Sequence, residues 1–300
     1  MDKRIIRFGS RRSALALAQT KLVMEAVARA HPELAVELVA METTGDRNMK
    51  PFSEASDKFG IKGLFTQELE EALLSGAIDV AVHSLKDMPM NANPALPLVA
   101  YSKREDPRDA LVLPEGRTEL GTGAIGCSAA RRRVQLAALY PGARVEPVRG
   151  NVNTRLRKLD GGEFSALVLA AAGLKRLGLE GRAARYFETD EMIPAPGQGI
   201  LACQGRAGED YYYLAAVRDE EAAACAAAER AFSAALGGGC TAPVGAFASL
   251  DGEEITIVGL CADESGRDIR RGTARGAIKE KTVIAARLAQ ELSRGKSYDR

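Results

Sequence analysis

The sequence predicts an α/β protein with two α/β lobes and a small α+β domain at its C-terminal end. Segments with the period of a strand alternate with segments of helical period over residues 4–82, and the same alternation returns over residues 124–171. Beyond residue 219 it gives way to an alanine-rich helix, two strands and a last helix. The chain has 300 residues, of which 46% are hydrophobic, so it can bury more than one core.

The first lobe opens with a strand over residues 4–9 and a helix over 13–30, in which apolar side chains recur at helical spacing. A strand over 36–39, a helix over 66–74 and a strand over 78–82 follow. The last of these strands is almost continuously apolar, which is typical of a parallel sheet covered on both faces.

A charged segment with a proline, residues 104–109, predicts the crossing to the second lobe. The predicted strands of that lobe cover 124–126, 144–148 and 166–171, and its predicted helices cover 128–139 and 153–159. The segment 194–199, Pro-Ala-Pro-Gly-Gln-Gly, has the composition of a hinge at which the chain crosses back. The small domain is predicted to have helices over 220–236 and 281–293 and strands over 255–261 and 268–274.

Composition and charge argue against recruitment to nucleic acid or to a membrane and against a metal site. The formal net charge is only +1, so the molecule as a whole has no field that would recruit nucleic acid or an anionic membrane. The five cysteines form no C-x-x-C pair and the two histidines are not clustered, so we expect no metal site. The odd number of cysteines, the lack of an apolar leader and the lack of a long uncharged apolar run predict a soluble protein of the cytoplasm.

Arginines gather where predicted strands end and predicted helices begin. Open α/β sheets bind ligands at this position, and helix N-termini attract anions. A single arginine is more often a solvated surface charge, but several clusters at equivalent positions favour a ligand with several carboxylates or phosphates. The clusters are Arg11 with Arg12, Arg131 with Arg132 and Arg133, and Arg149 with Arg155.

One carboxylate lies among these cations. Asp87 follows the apolar strand, in the segment His83-Ser84-Leu85-Lys86-Asp87. It can stabilise a cation that develops during a reaction or steer a proton to a leaving amine. The alternative is that Asp87 only pairs with Lys86 or an arginine. His83, a lone histidine at a strand end, is expected to be a structural hydrogen-bonding group.

Cys240 follows three glycines, residues 237–239. Glycines are retained where the backbone turns sharply or lets a ligand approach, so the thiol after them is a candidate for covalent attachment. The alternative is a small buried hydrophobe, as free cysteines often are.

The polar stretch 45–60 is too long for an ordinary connection and is a candidate lid. Lys58, Lys62 and Phe65, near its end, can add charge and an aromatic surface to a ligand cleft. Disorder without function is the alternative for the middle of this loop.

Seven segments, in chain order, closely resemble the porphobilinogen deaminase (hydroxymethylbilane synthase) family. They are GSRRSALALAQ (9–19), VHSLKDMP (82–89), REDPRDA (104–110), VRGNVNTRL (148–156), AGLKRLG (172–178), PGQG (196–199) and GGC (238–240). The resemblance implies two periplasmic-binding-protein-like lobes that enclose the active cleft, and a third domain that carries a cofactor cysteine. It also implies a discontinuous first domain, so we expect domain 1 over 1–102 and 197–219, domain 2 over 103–196 and domain 3 over 220–300.

The resemblance further implies a dipyrromethane cofactor, joined by a thioether to Cys240 and made from two porphobilinogen units. Porphobilinogen loses ammonia to give an electrophilic methylene-pyrrolenine, which the free α-carbon of the terminal pyrrole attacks. Four repeats and hydrolysis release the linear tetrapyrrole hydroxymethylbilane, for haem biosynthesis. The family also implies a monomer.

By matching motifs, Asp87 is expected to hold pyrrole N–H groups and to stabilise the cationic intermediate. The groups expected to bind the carboxylates of cofactor and substrate are Arg11, Ser13, Lys86, Ser128, Arg131, Arg132, Arg149, Arg155 and Arg176. One segment departs from the family: residues 126–132 have the sequence GCSAARR where the family usually shows G-T-S-S-x-R-R. We therefore expect altered hydrogen bonding at Cys127 and Ala129, and a second thiol near the cleft at Cys127.

A protein of another class, a two-lobed small-anion binding protein without catalysis, also fits two α/β lobes and a hinge. A secreted binding protein is expected to carry a signal peptide, and a transcription regulator a DNA-binding segment before the first lobe. The predicted first strand begins by residue 4. Neither alternative accounts for Asp87 among cations or for the glycine-rich turn before Cys240.

Overall fold

The computed structural model describes residues 3–42, 66–90, 93–237, 243–263, 266 and 268–294. The chain divides into two compact units, which we call unit 1 (Met1–Arg104 with Ile200–Ala223) and unit 2 (Glu105–Gly199 with Ala224–Arg300). The mixed α/β architecture with two five-stranded sheets and a separate three-stranded sheet confirms the predicted fold class.

The strands and helices are numbered in chain order. They are β1 (Ile5–Arg11), α1 (Ala14–Ala30), β2 (Ala35–Met41), α2 (Gln67–Leu74), β3 (Val80–Ser84), β4 (Leu98–Tyr101), β5 (Asp109–Val112), β6 (Ile125–Gly126), α3 (Ala130–Leu139), β7 (Val145–Glu146), α4 (Val152–Asp160), β8 (Ala166–Ala170), α5 (Ala171–Arg176), β9 (Ala183–Phe187), β10 (Leu201–Gln204), α6 (Glu220–Ala235), β11 (Gly245–Asp251), β12 (Glu254–Ala262), β13 (Ile269–Ala277) and α7 (Lys281–Ser293). Short 3₁₀ turns cover Leu85–Asp87, Glu180–Arg182, Tyr212–Ala216 and Ile278–Glu280.

The sheet of unit 1 has the order β2-β1-β3-β10-β4. Strand β1 is parallel to both β2 and β3, whereas β10 is antiparallel to β3 and β4, with Ala202 opposite His83. The sheet is therefore mixed and not wholly parallel, because a strand that follows the second lobe in sequence inserts between β3 and β4. Its apolar side chains pack on α1 through residues such as Phe8, Val23 and Val27.

Unit 2 contains a five-stranded sheet in the order β7-β6-β8-β5-β9. Strand β6 is parallel to β7 and β8, and β5 is antiparallel to β8 and β9. This arrangement repeats that of unit 1, with one antiparallel strand inside a sheet that is otherwise parallel at its centre. The fully buried Leu167 and Phe187 lie on opposite sides of the sheet, in separate apolar clusters.

The second sheet of unit 2 is antiparallel, in the order β11-β12-β13. Helices α6 and α7 contribute Phe232 and Leu288 to the core beneath it. A β-carbon on Gly259 would lie 2.4 Å from the ring of Phe232. Glycine at this place in β12 therefore lets the helix approach the strand closely.

Several boundaries differ from the predicted ones. The first strand extends to Arg11, so this arginine lies on the strand end and not after it. Asp109, which the sequence placed in a crossing segment, begins β5 and is fully buried. Strands β4, β5, β9, β10 and β11 and helix α5 were not predicted, since most of them have only four or five residues and too few positions for a period to be recognised.

Within the described residues, no helix is both long enough and apolar enough to cross a lipid bilayer.

Candidate functional site

A buried ion cluster lies at the start of α3 in unit 2. Arg131 Nη2 lies 2.8 Å from Asp109 Oδ2, and Arg132 Nη2 donates to Asp109 Oδ1 at 2.7 Å. We call these three residues the Asp109 trio. Each of its side chains is less than a tenth exposed, so the charges interact through protein and not through water. Arg131 also donates to the carbonyl of Ile193 at 2.6 Å, and Arg132 to that of Val168 at 3.0 Å.

The trio has two guanidinium groups and one carboxylate. Burial alone would raise the pKa of Asp109, but the charges of Arg131 and Arg132 outweigh it and hold that pKa well below its usual range. Burial lowers the pKa of Arg131, and the charge of Asp109 opposes this effect. With all three groups ionised the trio carries a net positive charge in a buried place, which favours the binding of one further anion.

This arrangement corrects one step of the sequence argument. Arginine clusters where helices begin were taken to favour a bound ligand with several carboxylates or phosphates. Arg131 and Arg132 already share an anion that the protein supplies, Asp109. The sequence did not point to Asp109, because its pairing depends on how β5 packs against α3.

The segment 126–132, which departs from the family motif, leads into helix α3. Ala129 is the N-cap residue of α3, and no side chain caps the helix there. Ser128 is engaged with the backbone of Val148: its hydroxyl donates to the carbonyl at 2.6 Å and accepts from the amide at 3.0 Å. Cys127, which we expected to present a second thiol near a cleft, is 1% exposed. Burial raises the pKa of its thiol, so Cys127 is poorly suited to attack a ligand.

Arg176 ends α5, and its Nη2 donates to the carbonyl of Gly199 at 2.6 Å. Burial lowers the pKa of Arg176 to about 10, and the charge of Glu105 partly opposes the shift. Glu105 itself accepts a hydrogen bond from Lys175 at 2.8 Å. Arg176 is thus a charged group held against the backbone of the predicted hinge.

Arg149 and Arg155 flank the start of α4. The side chain of Asn151 caps this helix by accepting from the amide of Thr154 at 3.0 Å. The Nε of Arg155 donates to the carbonyl of Gly150 at 2.8 Å. Gly150 has φ +104°, so the turn that presents the two arginines needs glycine at this position.

In unit 1, Asp87 is exposed and ends the 3₁₀ turn that directly follows β3. The turn is anchored at the residue before it, because Ser84 and the buried Gln19 of α1 exchange hydrogen bonds of 2.9 and 3.1 Å. His83, one residue earlier, is buried and lies 3.1 Å from Gln204 Oε1. Burial lowers its pKa to about 4, so the imidazole is neutral at pH 7. Its burial and its contact with Gln204 are those expected of a structural hydrogen-bonding group.

The remaining predicted residues of unit 1 that the structure describes lie at the ends of strands and helices. Arg11 is the last residue of β1, and Ser13 is the N-cap of α1, where its Oγ accepts from the amide of Ala16 at 3.3 Å. Lys86 lies in the 3₁₀ turn beside Asp87. Each of the three is therefore at the carboxyl end of a strand or the amino end of a helix, as the sequence predicts.

Four predicted site residues lie outside the described part of the chain: Lys58, Lys62, Phe65 and Cys240. Over the part that the structure does describe, no three His, Cys, Asp or Glu side chains are grouped to hold a metal ion. Sequence reasoning missed the hydrogen-bonding roles of Gln19 in unit 1 and of Asp109 and Gln198 in unit 2. The position of Gln198 between two glycines is visible in the sequence, but it was interpreted only as part of a hinge.

Two protein-family models match the chain. Residues 6–213 match "Porphobilinogen deaminase, dipyromethane cofactor binding domain", and residues 223–294 match "Porphobilinogen deaminase, C-terminal domain". Curated proteins named porphobilinogen deaminase match nearly the whole chain. The one from Acetivibrio thermocellus is 48% identical over 291 residues, which cover 97% of this chain and 98% of the relative. The one from Ruminiclostridium josui is 47% identical over 292 residues, 97% of this chain and 99% of the relative.

Solved structures give more distant matches. The effector binding domain of BenM, solved with benzoate, aligns over 72% of this chain and 89% of its own with a TM-score of 0.43 and 15% identity. The alkanesulfonate-binding protein SsuA of Xanthomonas axonopodis pv. citri aligns over 69% of this chain and 67% of its own with a TM-score of 0.37 and 14% identity.

Proposed function

This chain belongs to the porphobilinogen deaminase family, and from that premise we propose which of its residues hold the cofactor and carry the reaction. The activity is that of a hydroxymethylbilane synthase: porphobilinogen units are deaminated and joined head to tail on a dipyrromethane primer. Each addition breaks a C–N bond and releases ammonia. It also forms a C–C bond between two pyrroles, and the attacking pyrrole loses the proton of its α-carbon.

The Asp109 trio carries the proposal, because its charge matches the ligand. Pyrroles of this pathway bear acetate and propionate groups, so cofactor and substrate are polyanions. The two guanidiniums of Arg131 and Arg132 exceed the single carboxylate of Asp109 by one charge. One pyrrole carboxylate neutralises that excess in a buried place, where an ion pair is screened least.

The uncapped N-terminus of α3 supports the same assignment. The amides of Cys127 and Arg132 donate to the carbonyls of Glu146 and Ala129, but no side chain caps the helix, so its first amides can donate to an anion. We therefore propose that amides near Ala129 replace the hydroxyls that the family has at this segment. Ser128 contributes by fixing the loop to Val148 and not by donating to the ligand, since its hydroxyl already donates to that carbonyl.

The other basic residues are proposed to bind further carboxylates as the chain of pyrroles grows. Arg149 and Arg155 flank the glycine turn before α4, and Arg176 lies at the end of α5. Arg11, Ser13 and Lys86 are their counterparts in unit 1. Guanidinium groups suit this task because they bind carboxylates in a bidentate manner and stay charged.

Asp87 is proposed as the catalytic carboxylate. It is exposed on a turn that Gln19 and Ser84 anchor, so it can reach a ligand from a fixed backbone. A carboxylate accepts hydrogen bonds from pyrrole N–H groups and stabilises the cation left when the amine departs. His83 does not compete for this role, because it is buried and neutral.

Cys240 is proposed to hold the dipyrromethane through a thioether. When bound, this group supplies the nucleophilic pyrrole α-carbon on which the product is built. The four other cysteines, Cys127, Cys203, Cys225 and Cys261, are buried, which makes them unsuited to the attachment. The stretch 45–60 is proposed as a lid, and Lys58, Lys62 and Phe65 are proposed to add charge and an aromatic surface to the ligand cleft.

The domain limits remain part of the proposal: domain 1 over 1–102 and 197–219, domain 2 over 103–196 and domain 3 over 220–300. Strand β10 supports the discontinuous first domain, because it belongs to the sheet of unit 1. We further propose a monomer that acts in the cytoplasm, where free thiols such as the buried four persist.

Mass spectrometry tests the assignment. The purified chain is incubated with porphobilinogen, and intact and peptide masses are measured together with the ammonia released. We expect a mass of two linked pyrroles on the peptide with Cys240 and catalytic release of ammonia. A two-lobed binding protein without catalysis would bind porphobilinogen and release none.

Two cysteine variants complete the test. Cys240→Ser is expected to carry no adduct, whereas Cys127→Ser is expected to carry as much as the parent chain. An adduct that persists in Cys240→Ser and disappears in Cys127→Ser would overturn the assignment of the attachment residue.

A further inference from the structure

Three consecutive residues of unit 2, Gly197, Gln198 and Gly199, each make a hydrogen bond to a different charged side chain. The amide of Gly197 donates to Glu229 Oε2 at 2.7 Å. The side chain of Gln198 donates to Asp109 Oδ1 at 2.8 Å, and the carbonyl of Gly199 accepts from Arg176 Nη2 at 2.6 Å. This tripeptide therefore contacts one arginine of the proposed cofactor site directly and reaches two others through Asp109.

The backbone of the tripeptide explains how neighbouring residues face different partners. Gly197 has φ +75° and Gly199 has φ +90°. Both values lie in the left-handed region, which side chains with a β-carbon rarely adopt. The two glycines thus turn the chain on either side of Gln198 and direct its side chain at Asp109.

Glu229 fixes the first residue of the tripeptide. Its side chain is fully buried, and its second oxygen accepts from the amide of Ala248 in β11 at 2.8 Å. A buried carboxylate with backbone donors on both oxygens is a rigid anchor. The position of Gln198 is therefore set by α6 and β11 as well as by its own loop.

Gln198 is 1% exposed, and its Nε2 also donates to the carbonyl of Pro107 at 2.7 Å. Asp109 Oδ1 consequently accepts from two side chains, Arg132 and Gln198. Glutamine supplies this second donor without adding charge. A basic residue here would raise the charge of the trio, and an acidic one would cancel its excess.

We propose that Gln198 is a positioning residue of the cofactor site: its neutral amide holds Asp109 so that Arg131 and Arg132 keep the orientation and the single excess positive charge that bind a pyrrole carboxylate. The inference rests on the proposed function, because it takes that carboxylate as the ligand of the trio. Gln198 acts through Asp109 and does not itself touch the ligand.

The test compares a charge-adding and a charge-free substitution at the same place. Gln198→Met removes the donor and keeps a similar volume, whereas Gln198→Glu also adds a carboxylate next to Asp109. Each full-length variant is produced in cells that make no porphobilinogen, and the adduct formed after porphobilinogen is added is followed by intact mass spectrometry. The thermal midpoint of each variant gives its folded fraction.

Gln135 offers a matched control in the same unit. It is as fully buried as Gln198, but its Nε2 donates to the carbonyls of Arg131 and Ile193 and not to Asp109. The control pair is Gln135→Met and Gln135→Glu. It reports what burying a methionine or a carboxylate does to folding and loading without a side-chain contact to Asp109.

We expect Gln198→Met to load at least about tenfold more slowly than the parent chain, because a hydrogen bond to a charged group is lost. Gln198→Glu should be slower again by at least about tenfold, since the added charge cancels the excess of the trio. The two Gln135 variants should load at rates that differ by less than about threefold once corrected for folded fraction.

Equal loading by Gln198→Met and Gln198→Glu, or loading that follows the folded fraction alone at both positions, would overturn the inference and leave the proposed function standing. A parent chain that folds but acquires no adduct would instead refute the proposed function.

Discussion

Replacing Asp109 by alanine is expected to destabilise unit 2 strongly. The change leaves Arg131 and Arg132, both less than a tenth exposed, without the carboxylate that they share. Removing one partner of a buried ion pair costs about 3–5 kcal/mol, because the remaining charge stays buried without compensation. A folding unit of roughly 150–250 residues loses about 2–4 °C of its thermal midpoint per kcal/mol, so we expect a decrease of about 6–20 °C.

The matched control is Asp160→Ala in the same unit. Asp160 pairs with Arg182 at 2.7 Å, but both side chains are partly exposed, at 31% and 21%. Exposed pairs contribute only about 0.2–1 kcal/mol, so this variant should lose no more than about 4 °C. Differential scanning calorimetry and urea unfolding of both variants at pH 7 measure the contrast.

The pH dependence gives a second measurement. Arg131 and Arg132 keep the pKa of Asp109 in the folded chain well below its ordinary value of 3.8, against the effect of burial. A carboxyl whose folded pKa is depressed stabilises the protein above its unfolded pKa and loses this contribution as pH falls through the folded one. The difference between parent and Asp109→Ala should thus be constant from pH 8 to pH 5 and shrink only below about pH 4.

The reasoning would be refuted if the loss of unfolding free energy in Asp109→Ala exceeded that in Asp160→Ala by less than about 1 kcal/mol. The trio would then not be an important buried ion cluster. A difference that grew as the pH fell from 7 to 5 would show that the pKa of Asp109 is raised, and not lowered, in the folded chain.

Three further predictions concern turnover, loading and packing. Asp87→Ala should reduce turnover nearly to zero while the purified chain keeps its adduct and its thermal midpoint; the ammonia-release rate and the intact mass check both, and substantial activity would contradict the catalytic role. Arg131→Leu should fold but acquire no adduct, because a carboxylate then loses its partner in the trio; a fully loaded variant would place the cofactor site elsewhere. Gly259→Ala should destabilise the C-terminal sheet by about 1–3 kcal/mol, because its β-carbon meets Phe232, whereas Gly181→Ala, with open space around it, should stay within about 0.5 kcal/mol in urea unfolding.

The elements with a clear period were predicted well. The last helix, predicted over 281–293, is Lys281–Ser293, and the first helix begins after its predicted start at the capping residue Ser13. Both have more than ten residues, so an apolar face repeats several times. Strand β10 (Leu201–Gln204) has four residues, all buried, and its sequence does not show that its neighbours are β3 and β4.

The cationic residues of the site were predicted from the sequence, whereas the residues that pair with them were not. Arginines such as Arg131 and Arg132 were recognised from their place at a helix start, which is a local property of the sequence. Asp109 precedes them by more than twenty positions, and its contact with both depends on the packing of an antiparallel strand against α3. Gln198 was identified with the hinge only, because the direction of its side chain follows from φ values that a sequence does not display.

The position of β10 inside the sheet of unit 1 has a consequence for protein synthesis. Within the described sheet, β4 pairs only with β10, which follows it by about one hundred residues, and closing so long a loop costs on the order of 4 kcal/mol of chain entropy. On the ribosome, the strands of residues 105–199 emerge before β10 and can pair with one another first. The sheet of unit 1 therefore remains incomplete, without the strand that pairs with both β3 and β4, until Gln204 has left the exit tunnel. A ribosome that stalls before this point exposes the apolar edge of β3, which makes the partly made chain a substrate for chaperones.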